Sequence, residues 1–157
     1  YIKICYTKAM KNNTRVRVIG DKTGLAEDLQ ESIRTLETDT AKNTGLQFQI
    51  AINYGSRDEM LRGMRQMMQD YKEGKITLEE VDEAHFSDYL DTAGIPDPDL
   101  MIRTSGEQRL SNYLMWQHAY SEFYFTDTPW PEFNKAELVK AIEAYTSRDR
   151  RYGKVKA

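Results

Sequence analysis

A chain of 157 residues with a formal net charge of -3 is long enough for one domain with a sizeable core, and its composition excludes collagen, a coiled coil and wholesale disorder. The acidic balance, with a pI near 5.5, argues against a general nucleic-acid binder. A single cysteine, Cys5, excludes an intramolecular disulfide and a zinc site, and no apolar run approaches the roughly 20 residues needed to span a bilayer. One soluble domain over residues 1–157 is expected, in a reducing compartment, with Cys5 as a small core residue rather than a nucleophile.

The chain opens on Tyr1-Ile-Lys-Ile-Cys-Tyr6 without an initiator Met, so it is expected to be a fragment. Arg15 to Gly20 alternates polar and apolar residues before a Gly-Asp turn, which predicts a strand with one covered face. Leu25, Leu29, Ile33 and Leu36 recur every three or four residues up to Asn43-Thr-Gly45, the pattern of an amphipathic helix with a glycine stop. Leu46, Phe48, Ile50, Ile52 and Tyr54 alternate through a second strand. Helices alternating with strands predict an α/β fold: a single, mostly parallel sheet flanked by helices, incomplete at its N-terminus.

Ser56-x-x-Glu59 reads as a capping box opening a helix. Along it Met60, Leu61, Met64, Met67, Met68 and Tyr71 share a broad face, read as core filler, with an adaptable lipid-binding groove as the alternative. Thr77-x-x-Glu80 repeats the capping signature before a second helix carrying Val81, Phe86 and Leu90, on which His85 sits among acids as a surface residue. Gly94-Ile-Pro-Asp-Pro98 is a rigid connector into a strand around Leu100 to Ile102. Beyond it, Glu122-Phe-Tyr-Phe125 predicts a short strand, Thr128-Pro-Trp-Pro131 an aromatic turn, and Asn134-x-x-Glu137 the cap of a final helix running toward Tyr145. The basic tail Arg148 to Gly153 suits a helix C-terminus.

The chemistry concentrates between Asp99 and Asn112. Arg103 and Arg109 present planar forks of N–H donors that match phosphate oxygens, on a glycine-containing turn between a strand and a predicted helix. Ser111 and the first turn of that helix would add hydroxyl and backbone donors where the dipole favours an anion. The carboxyl ends of strands in open α/β sheets are where ligands bind. Glu107 and Glu122 lie close enough in sequence to share a Mg2+ with a diphosphate. The competing reading is a surface loop whose arginines pair with Asp97, Asp99 and Glu107.

The stretch Asp99-Leu-Met-Ile-Arg-Thr-Ser-Gly-Glu-Gln-Arg-Leu-Ser-Asn-Tyr-Leu-Met-Trp-Gln117, with Ala119-Tyr-Ser-Glu-Phe-Tyr-Phe-Thr-Asp127 and Trp130-Pro131, closely resembles the signature of the cis-prenyltransferases of the undecaprenyl diphosphate synthase type. Arg17-Val-Ile-Gly-Asp21, Asn43-Thr-Gly45, Asn53-Tyr-Gly55 and Arg150-Arg-Tyr-Gly153 extend the resemblance over nearly the whole chain. It implies a transferase that adds isopentenyl diphosphate in cis to farnesyl diphosphate, building undecaprenyl diphosphate, the lipid carrier for cell-wall sugars. Arg103, Arg109, Leu110 and Ser111 would then hold isopentenyl diphosphate, and Glu122 would be the Mg2+ carboxylate near a two-fold interface. Gln108 stands where some members carry a histidine, so no metal role is given to it. Arg151 to Gly153 resembles a terminal segment near the diphosphate and the contact between two copies. A homodimer in the cytoplasm is implied, meeting the inner membrane face through its lipid product. Leu46, Phe48, Ile50 and Ile52 are candidates for lining the apolar tunnel, with plain sheet core as their other reading.

Two family segments are not found: an Asp-Gly-Asn-Gly-Arg-Trp motif with the catalytic aspartate, and a Ser-Thr-Glu-Asn-Trp type segment. The chain therefore resembles the C-terminal two thirds of one such domain and is expected to be inactive alone, with no catalytic residue of its own. A non-catalytic partner subunit is the alternative, disfavoured because Arg103, Arg109 and Ser111 are all present. A nucleotide or RNA-phosphate binder is disfavoured by the acidic balance and the lack of a Gly-rich phosphate loop.

Overall fold

The computed structural model describes residues 2–148. The chain divides into two compact units, Tyr1–Gly94 and Ile95–Ala157, and each carries its own two-stranded parallel ladder with helices beside it. The α/β class with parallel pairing is therefore present. The parallel pairing expected from the sequence is laid out as two ladders, β1 with β2 and β3 with β4 in chain order, one per unit.

In the first unit, helix α1 (Ile2–Lys11) places Lys8 and Lys11 in its last turn, where cations suit the dipole. Strand β1 (Arg15–Ile19), helix α2 (Glu27–Thr40) and strand β2 (Gln47–Ala51) follow, with β1 and β2 paired from Arg15 opposite Gln47 to Ile19 opposite Ala51. Ala9, Val16 and Leu36 form a core on which Ile2, Cys5, Tyr6 and Ile50 pack, so Cys5 sits at the core, as its size suggested. The amides of β1 that face away from β2 are closed by side chains. Val16 N–H donates to Thr40 Oγ1 at 3.1 Å, Val18 N–H to Glu37 Oε1 at 2.7 Å and Gly20 N–H to Asp91 Oδ2 at 2.8 Å. An open strand edge invites pairing with other chains, and these three bonds satisfy its outer amides beside a cavity of about 390 Å³.

Helix α3 (Ser56–Lys72) corrects two expectations. Its N-cap is Gly55, and Ser56 and Glu59 are both inside the helix and buried, so no capping box forms there. Glu59 has better partners: it accepts from the Tyr54 hydroxyl at 2.5 Å and from the Asp91 amide at 2.9 Å. The buried stripe is Ser56, Glu59, Gly63 and Met67, while Met64 and Met68 are exposed, so the methionines are not core filler as a set. The Thr77–Glu80 capping box does form, but it closes a single 3₁₀ turn. The helix expected after it shrinks to α4 (Glu83–Ser87), restarted by Asp82, whose carboxylate accepts from the His85 amide at 2.7 Å.

In the second unit, strand β3 (Leu100–Arg103) pairs in parallel with strand β4 (Glu122–Phe125), Leu100 opposite Glu122 and Arg103 opposite Phe125. The predicted helix after Ser111 does not form. Residues 104–121 run as turns, and Ser111, Asn112 and Leu114 have φ of 51°, 60° and 43°, left-handed values that no right-handed helix can contain. Helix α5 (Lys135–Thr146) packs on β4. Asn134 caps it as expected, accepting from the Ala136 and Glu137 amides, while the Glu137 carboxylate turns to Thr128 and Lys140 instead of closing a box.

Candidate phosphate-binding loop

The loop leaving β3 is held from one side by the end of β4. Ser105 N–H donates to the Thr128 carbonyl and Gly106 N–H to the Thr126 carbonyl, both at 3.0 Å, while Thr126 N–H returns a bond to the Arg103 carbonyl at 3.0 Å. Gly106 is left-handed at φ 69°, and a Cβ there would stand 3.1 Å from Asp127 Oδ1. This clamp fixes the backbone from Arg103 to Gly106, at the start of the loop that carries Arg109 and Ser111. Motif reading missed Thr126 and Thr128, and it had no signal for them, because they hold the loop through main-chain groups that any residue type supplies.

Arg103 is half-buried, and its guanidinium lies 3.5 Å from Ser111 Oγ, long for a hydrogen bond but enough to put both groups on one face of the loop. Arg109 is exposed and ion-paired with Glu107, as the surface-loop reading anticipated. Leu110 is half-buried, and its carbonyl accepts from the Tyr113 amide at 3.1 Å, which closes the turn before Ser111. Gln108 is exposed. Without the helix, the dipole contribution expected at Ser111 is lost. The anion-binding capacity of the loop rests on side-chain donors, a serine hydroxyl and two guanidinium groups.

Glu122 is placed elsewhere. The register puts it at the amino end of the ladder and Arg103 at the carboxyl end, three positions apart, or roughly 10 Å at about 3.3 Å per residue. Its carboxylate accepts from Arg148 Nη1 at 2.7 Å in an exposed ion pair, a partner that sequence spacing could not reveal across 26 positions. Among the described residues no group of three or more His, Cys, Asp or Glu side chains is set to hold a metal ion. Glu122 is thus ion-paired with Arg148 and stands at the opposite end of the ladder from Arg103. The terminal segment Arg151 to Gly153 lies outside the described residues.

The tunnel candidates separate as well. Ile50 packs against the core of the first unit, whereas Leu46 and Phe48 are exposed and, with Cys5, Ala9 and Val16, line an open groove of about 270 Å³. No described helix is long and apolar enough to cross a membrane.

Residues 1–153 match the family model described as "Putative undecaprenyl diphosphate synthase". An isoprenyl transferase of Clostridium perfringens is 46% identical over 156 residues, covering 99% of this chain and 62% of its own length. One of Porphyromonas gingivalis is 50% identical over 145 residues, covering 92% and 57%. Among solved structures, lavandulyl diphosphate synthase of Lavandula x intermedia in complex with dimethylallyl diphosphate superposes with a TM-score of 0.92 at 34% identity, covering 98% of this chain and 66% of that one. A probable undecaprenyl diphosphate synthase of Campylobacter jejuni superposes with a TM-score of 0.84 at 34% identity, covering 98% and 69%. The chain thus spans about three fifths of the length of the curated relatives it matches, and with the match running through both units it belongs to the prenyltransferase family of undecaprenyl diphosphate synthase.

Proposed function

We propose that this chain is the isopentenyl diphosphate-binding part of a cis-prenyltransferase that extends farnesyl diphosphate to undecaprenyl diphosphate. The observation that carries the reading is the Arg103 guanidinium facing the Ser111 hydroxyl across a backbone clamp at the carboxyl end of β3. A diphosphate brings charge enough to draw Arg109 from its exposed partner Glu107, since a surface ion pair is worth only about 0–1 kcal/mol. Holding the five-carbon unit by its diphosphate leaves its double bond free to face an ionising allylic partner, and that positioning is this chain's contribution to the reaction. Ionisation of the allylic diphosphate needs groups this chain does not supply, so the 157-residue chain binds without turning over. A homodimer is part of the same proposal.

Calorimetric titration tests the reading. Isopentenyl diphosphate is expected to bind and nucleotides not to. Arg103→Ala should weaken binding about 10- to 100-fold, the weight of one or two charge-assisted bonds of about 1.5–3 kcal/mol in all. Equal affinity of the parent chain and Arg103→Ala would overturn it. A non-catalytic partner subunit would show no isopentenyl diphosphate binding in either chain.

A further inference from the structure

His118 is not among the residues proposed to hold the diphosphate, yet it is the more enclosed of the chain's two histidines, 6% exposed. Its Nδ1 lies 2.8 Å from Ser121 Oγ, and that hydroxyl donates to the Pro98 carbonyl at 2.5 Å. A serine has one hydroxyl hydrogen. With it spent on Pro98, Ser121 can only accept from the ring, so Nδ1 carries the proton and Nε2 keeps a bare lone pair. Nε2 is fully enclosed with no hydrogen-bond partner among the described residues. The ring is tilted against Tyr113 and Phe123, with centroids 6.1 and 5.8 Å away.

We propose that His118 is a proton-operated latch on the entry to β4. Neutral, it fastens Ser121, and through Ser121 the Pro98 carbonyl, so that β3 and β4 enter their ladder together, with the Glu122 amide on the Asp99 carbonyl at 2.9 Å. A second proton would create an N–H⁺ donor at Nε2 among aromatic rings with nothing to accept it, a cost met by moving the ring out and letting the stitch go.

The groups facing the ring leave that outcome unopposed. Asp97, on the stretch leading into β3, attracts the proton, but burial outweighs it and holds the imidazole below its ordinary value. Tyr113 presents a phenol held above its ordinary value, hence neutral throughout the acid range, and Phe123 on β4 carries no charge. Glu122, next to Ser121 in the chain, is already paired with Arg148. A histidine with a lowered folded pKa gives stability that is fully present above its unfolded value, ordinarily 6.5, and is lost as the pH falls from there to the folded value. The latch therefore opens on mild acidification, whatever the Arg103 loop binds.

The test is an NMR titration of both histidine rings, assigned with His85→Gln, alongside hydrogen exchange of the Glu122 amide corrected for the intrinsic pH dependence of exchange. The His118 ring should titrate below 6.5, and Glu122 protection should fall at least tenfold over the same range. His118→Gln should fold at neutral pH and show no such fall. Should that variant not fold, Ser121→Ala, which removes the stitch but keeps the ring, should already show low, pH-independent protection of Glu122. A His118 ring that titrates at or above 6.5, or Glu122 protection that does not follow its titration, or wild-type pH dependence in Ser121→Ala, overturns the latch.

Discussion

Gly20 shows how little room single positions leave. Its φ of 115° is closed to ordinary side chains, and a Cβ would stand 2.1 Å from the Ile52 carbonyl oxygen, which is backbone and cannot step aside. Gly20→Ala is therefore expected to destabilise the first unit by about 3 kcal/mol, combining left-handed strain with overlap at a tight turn; a urea midpoint equal to that of the parent would contradict it. The Gly-Asp pair was legible as a turn, but not the reason it must be glycine, because Ile52 reaches Gly20 only once β1 and β2 are paired. The same limit applies to Glu59. In the sequence it resembles a capping residue, and only the fold shows Tyr54 and Asp91 waiting for a buried carboxylate.

At the scale of elements, the first unit is cross-tied by Asp91. Arg62 on α3 grips its carboxylate with two bonds, at 2.9 and 2.8 Å, Gly20 N–H adds a third, and the Arg17 guanidinium donates to the Asp91 and Ala93 carbonyls beside it. Burial alone would push the Asp91 carboxyl up. The bonds from Arg62 and Gly20, with the Arg62 charge, outweigh it and hold the group below the ordinary 3.8. A depressed folded value means the contribution is present above pH 3.8 and disappears as the pH falls through the lower folded value. Unfolding followed between pH 7 and pH 2 should show a loss of stability confined to the region below about pH 4 for this group. Arg62→Gln should be less stable at neutral pH and lose part of that acid dependence; an unchanged acid limb would remove Asp91 as its source. Elements built on local periodicity were legible, as α2, β1 and the Asn134 cap of α5 show. The failures share a cause. The turns of residues 104–121 must carry the chain from the carboxyl end of β3 back to the amino end of β4, and the left-handed residues at 111, 112 and 114 that make this path left no mark in apolar spacing.

At the scale of the whole molecule, the chain covers 62% of the Clostridium perfringens relative and belongs to its family, and the part of the reaction proposed for it is the isopentenyl diphosphate grip and not the ionisation. Prenyl transfer assayed with farnesyl and isopentenyl diphosphates is expected to be at background, and Mg2+ titrated into the chain without a diphosphate should show no saturable binding. Turnover by these 157 residues would show that they carry the ionising groups after all. Of the candidate residues, Arg103 and Ser111 come together as proposed, Arg109 is engaged by Glu107, and Glu122 stands at the far end of its ladder with Arg148.

The order of residues alone determined the family, the alternation of helices with strands, and which side chains have the chemistry to meet an anion, because these depend on local spacing and on side-chain chemistry that no fold can alter. Tertiary structure alone decided who faces whom: the side chains that reach the outer amides of β1, the carboxylate that Arg148 holds, the stitch from His118 to Pro98. Those partners lie between 19 and 71 positions apart, and only the pairing of strands and the packing of helices on them brings such distant groups within bonding reach.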